Sequence, residues 1–341
     1  MSSVSIGPGP GHLQPGGGRP RVVVLDDYED SLRRTADWSP VEALADVTVH
    51  TRRLRGPALL DAIRDADAIA LVRDRTPFTA ELVAQLPKLK LFVFTGARNT
   101  TLDAKAMAAR GIPVAHTEMG SSKESTTELT WTLILAAAKR LEAYMGLVRR
   151  GGWRDDKPLP AVLAGERLGL IGFGGIGQRV AAAAIAFGMD VVTWSPHMTP
   201  ERAAAGGAKS VSLEELLATS RVVSLHLVPG ADTRKLLDAK RLATMRNDAI
   251  LVNTARSALV DMAALDAALA AGRPAIAALD VFDDEPLAAG FALAKRDNVV
   301  LTPHLGFVND RVFGKFGPGV VESLLAWLRG EPLPRVLRPE G

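Results

Sequence analysis

Residues 167–177 read Arg167-Leu168-Gly169-Leu170-Ile171-Gly172-Phe173-Gly174-Gly175-Ile176-Gly177. Gly172, Gly174 and Gly177 form a G-x-G-x-x-G pattern. It follows an aliphatic run and opens an alanine-rich stretch that lasts through about Phe187. A strand before the glycines and a helix after them is the context in which this pattern cradles a dinucleotide pyrophosphate. Gly172 permits the tight turn, Gly174 lets backbone approach the phosphates, and Gly177 lets helix and strand pack closely. The first helical turn then offers backbone N–H groups to the anion. The competing reading is a glycine turn that holds no ligand.

Outward from this turn, short aliphatic runs alternate with helical segments. Strands are expected at residues 22–25, 47–50, 68–72, 89–94 and 113–115. Further strands are expected at 167–171, 190–193, 222–225, 250–252, 276–279 and 299–301. Several are unbroken Val/Ile/Leu runs, as in strands covered on both faces. Alternation with helices argues βαβ units and parallel sheets, an α/β fold. Ser212 and Glu215 form a capping box opening a helix, and Asp261 caps another that Gly272 and Pro274 stop. Residues 124–150 have helical period throughout and end at Gly151-Gly152. As one helix they would span about 40 Å at roughly 1.5 Å per residue.

The strand after the glycine turn should end in a carboxylate if the cofactor is NAD, because that acid binds the ribose 2′-hydroxyl. Here the end reads Trp194-Ser195-Pro196-His197, and Asp190 lies at the strand's start. Ser195 can bond a hydroxyl or a phosphate, and His197 and Arg202 bring positive charge without forming a clear clamp. The cofactor is therefore NAD or NADP, with the usual repulsion of NADP removed.

Composition narrows the rest. The chain has 341 residues, 47% hydrophobic and 23% charged, which suggests two domains with ordinary cores. Net charge is +3, from 41 Lys+Arg and 38 Asp+Glu, with no basic run to suit nucleic acid. Zero Cys excludes disulfides, thiolate metal sites and Cys nucleophiles, and permits a cytoplasmic location. No metal site is expected. Apolar stretches reach about ten residues, short of the roughly 18 a membrane span needs. Residues 1–19 are rich in Gly and Pro with no apolar segment, so they are expected to be a disordered tail.

Three later segments each follow an apolar strand. They are Asn253-Thr254-Ala255-Arg256-Ser257, Asp280-Val281-Phe282-Asp283-Asp284-Glu285-Pro286 and Thr302-Pro303-His304-Leu305-Gly306. Ligands of open α/β sheets bind at the carboxyl ends of strands, so one crevice can gather Arg256, Glu285 and His304. The trio suits hydride transfer to a 2-keto acid. An imidazolium donates a proton to the keto oxygen, a carboxylate on the other ring nitrogen sets the tautomer, and a guanidinium binds the substrate carboxylate. Taken singly, each has a plain alternative: a surface Arg, a solvated acidic loop, a structural His such as His226.

Together these motifs make the chain resemble the D-isomer-specific 2-hydroxyacid dehydrogenase family, over about residues 21–335. That family includes glyoxylate/hydroxypyruvate reductases and phosphoglycerate dehydrogenases. The resemblance implies two Rossmann-like or flavodoxin-like parallel-sheet domains, with a nucleotide domain inserted into a discontinuous substrate domain. Here those would be 120–302 for NAD(P), and 20–119 with 303–335 for substrate. It implies Arg256 as substrate ligand, His304 as general acid/base and Glu285 as its partner. Gly175 and Ile176 would meet the pyrophosphate, and Pro229 the adenosine side. Thr254, Ala255, Arg256, Asp280 and His304 would line the nicotinamide end. The loop of Gly96 and Ala97 would receive the substrate carboxylate. Arg73 lies on a second substrate loop, as a direct contact or as a surface charge. A homodimer is implied, with the 124–150 segment taking part. The same resemblance carries an alternative of another class, an NAD(H)-sensing protein like the C-terminal-binding-protein corepressors. Ser257 stands where the family usually has Gly, and Arg98-Asn99 depart from its usual loop.

Overall fold

The computed structural model describes residues 18–154 and 158–338. These form two compact units: one runs up to Ser121 and resumes at Asn309, and the other is Ser122–Val308. The expected tail lies outside the described residues as far as residue 17. Arg19, at its end, pairs with Asp46 at 3.3 Å and donates to Ala45 O at 3.0 Å.

The first unit is built on five parallel strands: β1 (Arg21–Leu25), β2 (Asp46–Val49), β3 (Ala68–Leu71), β4 (Leu91–Phe94) and β5 (Val114–His116), in the order β2-β1-β3-β4-β5. β3 and β4 are buried at every position, as their unbroken apolar sequences require, while β2 at the edge alternates exposed and half-buried. The returning chain supplies the helix Asp310–Arg329. Its buried residues, Val312, Phe313, Phe316, Val320, Leu324 and Trp327 among them, recur at three- and four-residue steps. A Cβ at Gly317 would stand 2.2 Å from Thr35 Oγ1, so only glycine lets this helix cross the helix Leu32–Thr35 so closely.

The second unit has seven parallel strands: β6 (Arg167–Ile171), β7 (Asp190–Trp194), β8 (Lys209–Ser210), β9 (Val222–Leu225), β10 (Ile250–Asn253), β11 (Ile276–Leu279) and β12 (Val299–Leu301). Their order is β12-β11-β10-β9-β6-β7-β8. Strand order reverses at β6, so the turn leaving β6 sits at the topological switch point, the usual ligand crevice of such sheets. One face carries Leu216, Leu242 and Leu265; the other carries Ile134, Val180 and Ala181. Register sets Asn253 beside Leu279, and Leu279 beside Leu301. The loops after β10, β11 and β12 therefore leave one edge side by side.

Two expectations need correction. The single helix over 124–150 is two helices, Ser122–Lys139 and Leu141–Arg149, with Arg140 left-handed at φ 49° between them. Ala161 N–H donates to Ala138 O at 2.8 Å and Lys139 Nζ to Ala161 O at 2.8 Å. The Ala138 carbonyl is thus capped from a distant segment where helix would otherwise continue. The two-residue strand β8 is absent from the expected strands; it is too short to show any period and forms by pairing Lys209 with Val192 and Ser210 with Thr193 of β7. Both helices carry an N-cap bond at the expected residue: Ser212 Oγ accepts from Glu215 N at 3.0 Å, one half of the expected capping box, and Asp261 Oδ1 from Ala264 N at 3.1 Å.

Candidate active site

Each glycine of the turn meets a distinct demand. Gly172 is at φ 99°, and a Cβ there would lie 2.7 Å from the His226 backbone. A Cβ at Gly177 would lie 2.5 Å from Gly172 O, so the helix Gly175–Ala186 can start only this close to β6 with hydrogen at that position. Gly174 is different, since a Cβ there would meet nothing within 4 Å. Its glycine serves open space in front of the backbone. The first helical bond runs from Gln178 N to Gly174 O at 3.0 Å, so the N–H groups of Gly175, Ile176 and Gly177 precede the ladder. Open space over Gly174, facing the positive end of a twelve-residue helix, fits a dinucleotide pyrophosphate.

One residue beside this turn was not singled out from the sequence. Lys123, in the first turn of Ser122–Lys139, brings Nζ to 3.6 Å from where a Gly175 Cβ would stand. A lone Lys in a helix carries no sequence signal; only the packing of two helix starts places its charge there. His226 leaves β9 on the other side of the turn and donates its backbone N–H to Ile171 O at 2.8 Å. Its Nε2 shares a 2.9 Å hydrogen bond with Ser224 Oγ, and burial pushes the imidazole down to about 4, so it is neutral at pH 7.

At the end of β7, Ser195 O accepts from Met198 N at 3.1 Å, turning the chain through Pro196 and His197. Arg202 Nη1 donates to His197 O at 2.6 Å, which holds its charge against this turn. Asp190, at the opposite end of β7, is engaged by Arg167 at 2.9 Å and Lys209 at 3.2 Å. Pro229 lies half-buried in the loop after β9.

The loop after β10 is stapled by Asn253, which is fully buried. Its Oδ1 accepts from Ala255 N at 3.0 Å and its Nδ2 donates to Arg256 O at 2.9 Å. These bonds explain the Asn-x-x-Arg spacing: the amide fixes the backbone that presents Arg256. The Arg256 side chain is exposed, with Nη1 on Ala255 O at 2.7 Å. Thr254 is buried and shares a 2.8 Å hydroxyl bond with Thr130.

Asp280, also fully buried, accepts from Thr302 Oγ1 at 2.6 Å, Leu305 N at 2.7 Å and Gly306 N at 2.9 Å. Burial raises its carboxyl above the ordinary range, against the pull of these donors and of His304. The carboxylate thereby clasps the loop on which His304 sits at φ 55°. Thr126 Oγ1 donates to Gly306 O at 2.8 Å from the neighbouring helix. His304 Nδ1–H donates to Glu285 Oε2 at 2.6 Å, and Phe282 N–H donates to Glu285 Oε1 at 2.8 Å. Phe307 stands edge-on to the imidazole, centroids 5.6 Å apart. The structure thus joins His304 to Glu285 directly and places Arg256 on the same sheet edge.

The other candidates belong to the first unit. Gly96, at φ 92°, donates its N–H to Thr117 Oγ1 at 2.8 Å. Ala97 follows it, exposed. Arg73 lies over Gly96, its Nη1 3.2 Å from Thr95 O; a Cβ at Gly96 would fall 2.0 Å from that nitrogen.

Residues 131–306 match the D-isomer specific 2-hydroxyacid dehydrogenase, NAD binding domain. The chain is 37% identical over 333 residues to glyoxylate reductase of Aeropyrum pernix, covering 94% of this chain and 97% of that protein. It is 37% identical over 308 residues to D-3-phosphoglycerate dehydrogenase of Mycobacterium bovis, covering 89% of this chain and 57% of that protein. Among solved structures, phosphoglycerate oxidoreductase from Vibrio cholerae superimposes with a TM-score of 0.80 at 32% identity, over 89% of this chain and 98% of that one. The chain belongs to the D-isomer specific 2-hydroxyacid dehydrogenase family. It spans little more than half the length, 57%, of the phosphoglycerate dehydrogenase it matches.

Proposed function

We propose that the protein is an NAD(P)H-dependent reductase of small 2-keto acids, giving D-2-hydroxy acids. The observation that carries this reading is the 2.6 Å bond between His304 Nδ1 and Glu285 Oε2. That bond fixes Nε2 as the ring nitrogen that exchanges a proton with substrate. When bound, the reduced nicotinamide supplies a hydride to the keto carbon. As charge develops on the keto oxygen, His304 donates its Nε2 proton there, so one hydride and one proton complete the alcohol. Arg256 binds the substrate carboxylate through charge-assisted bonds, and the Asn253 staple holds it in place. Glu285 orients the ring. Gly174, Gly175, Ile176 and Lys123 hold the pyrophosphate. Ser195, standing where the strand end would carry the NAD-selecting carboxylate, and Arg202, held at the turn, suit either NADH or NADPH. Arg73 and the loop of Gly96 and Ala97 serve the substrate's anionic end.

The reading extends to a homodimer. The helix Leu141–Arg149 buries none of its residues, yet Leu141, Met145 and Val148 form an apolar stripe, exposed by 48%, 44% and 55%. Trp153, Leu159 and Val162 are exposed as well. A second copy covering the stripe relieves that exposure. Light scattering on the purified protein should give twice the chain mass.

Activity is tested by mixing the protein with NADH or NADPH and glyoxylate, hydroxypyruvate, pyruvate or phenylpyruvate. Loss of cofactor absorbance with at least one pair is expected. No loss with any pair overturns the reading.

A further inference from the structure

Three non-glycine residues at one end of the first unit hold left-handed backbone: Asp26 at φ 62°, Asp30 at 47° and Arg73 at 61°. Such conformations persist only where the surroundings over-determine them. Asp26 and Asp27 follow β1 and are almost completely buried, 1% and 0% exposed. Asp27 is accounted for locally, since its two oxygens accept from Ser31 N and Leu32 N, each at 3.0 Å, and start the helix Leu32–Thr35. Asp26 acts over a longer distance in sequence. Its carboxylate reaches across to the loop after β3 and accepts from Thr76 Oγ1 at 2.6 Å.

The same loop is tied to the segment after β1 a second time. Arg75 Nη1 donates to Asp26 O at 2.7 Å and to Glu29 Oε2 at 2.9 Å, and Nη2 donates to Glu29 Oε1 at 2.6 Å. The guanidinium also stacks on the Tyr28 ring at 4.3 Å. On the loop's far side, Arg73 N–H donates to Thr95 Oγ1 at 2.9 Å and Asn99 Nδ2 donates to Arg73 O at 3.2 Å. Residues 73–76 are thus held between the segment that follows β1 and the loop that carries Gly96. Burial pushes the Asp26 carboxyl up, opposed by the Thr76 bond and by the charges of Arg75 and Arg53. A buried acid with that cost is held by the loop it fastens.

We propose that Asp26 is a positioning residue for substrate: through Thr76 and Arg75 it holds residues 73–76 so that the Arg73 guanidinium stands over Gly96, ready for the substrate's anionic end. This rests on the reading of the protein as a 2-keto acid reductase. Asp26 does not touch substrate in this scheme, and its loss acts through Arg73.

The test compares Thr76→Val, which keeps the shape of the side chain and removes the donor, with Thr76→Ser, which keeps the donor. Asp26→Ala and Asp26→Asn form a second pair, because Asn tolerates the left-handed backbone and still offers an acceptor. Amide hydrogen exchange of residues 72–76 and 95–99 is read beside kcat and KM for glyoxylate at saturating NADH. Thr76→Val should speed exchange in those segments about tenfold, with strands β9 to β12 unchanged. Its KM should rise about tenfold with kcat within about threefold. Thr76→Ser should restore both, and Asp26→Asn should lie closer to wild type than Asp26→Ala. Exchange and KM both within about twofold of wild type in Thr76→Val overturn the proposal, and so does faster exchange with KM unchanged. A wild type that reduces no 2-keto acid defeats the functional reading instead. The exchange arm then decides by itself whether Asp26 holds the loop.

Discussion

Glu285 divides its two oxygens between its own loop and a neighbouring one. Oε1 accepts from Phe282 N at 2.8 Å, and Oε2 accepts from His304 Nδ1 at 2.6 Å. The carboxylate cannot rotate without losing one donor, so the backbone bond at Phe282 is what aims the other oxygen at the imidazole.

Both of these partners are donors, which decides what a conservative change does. Glu285→Gln offers one acceptor oxygen and one N–H₂ group, so one donor is left facing another donor. Turnover of a 2-keto acid should fall by about ten- to a hundredfold in Glu285→Gln, and by about two to four orders of magnitude in His304→Asn. Steady-state kcat is the measurement; a His304→Asn enzyme near wild-type turnover removes His304 from its role.

Asp280 receives three donors and offers only acceptors. In Asp280→Asn the new amide N–H₂ must face Thr302, Leu305 or Gly306. Leaving such a buried pair unmatched costs about 1–3 kcal/mol of stability. The 302–306 loop should loosen with it, so kcat should drop while the dissociation constant for NADH changes little. Thermal melting and fluorescence titration separate the two effects. An unchanged kcat would mean that the loop does not need the clasp.

Gly174 and Gly177 should separate stability from ligand binding. Gly177→Ala drives a methyl to 2.5 Å from Gly172 O, a backbone atom that cannot swing away. Its melting temperature should fall, consistent with about 1–3 kcal/mol of overpacking. Gly174→Ala meets nothing within 4 Å and has φ −81°, so its apo melting temperature should match wild type. The same methyl occupies the approach to the pyrophosphate, so the NADH dissociation constant should rise at least about tenfold. Equal NADH affinity in Gly174→Ala would place the phosphates elsewhere.

His226 gives a pH-dependent stability with a definite sign. Its folded value, about 4, lies below the ordinary 6.5. Between these values the unfolded chain binds the extra proton, so stability falls as pH drops from about 6.5 to about 4 and is recovered as pH rises. The lost stability is at most about 3 kcal/mol at the acid end, about 1.4 kcal/mol per unit of the difference. Buried Asp26, Asp27 and Asp280 are shifted upward and act in the opposite sense as pH falls, so wild type alone mixes the trends. The difference in urea midpoint between wild type and His226→Gln isolates the His. It should widen in favour of Gln below about pH 6; a difference independent of pH would show that the ring does not stay neutral.

Much of the fold was legible because the strands are buried on both faces. Residues 167–171, 222–225, 276–279 and 299–301 form strands over the very spans that their aliphatic runs suggested. The break at Arg140 was not legible, since Lys139-Arg140-Leu141 contains no helix breaker. It follows from Ala161 N–H capping Ala138 O, a bond between segments 23 residues apart in sequence. Arg256, Glu285 and His304 were readable as candidates because each follows an apolar strand. Lys123 and Asp26 were not, because a single Lys in a helix or a single Asp in an acidic run looks like any solvated charge.

The sequence alone determined the α/β class, the glycine turn at 172–177 and the missing carboxylate at Ser195. These are local properties, set by hydrophobic period, by backbone freedom at glycine and by residue type at one strand end. Only the tertiary structure decided which charges are buried and what they hold. The parallel register of β10, β11 and β12 brings Asn253, Leu279 and Leu301 side by side, so Asp280 can clasp the His304 loop from 22 to 26 residues away. A hydrogen bond acts over about 3 Å, and spacing along the chain does not reveal which partners folding brings within that reach.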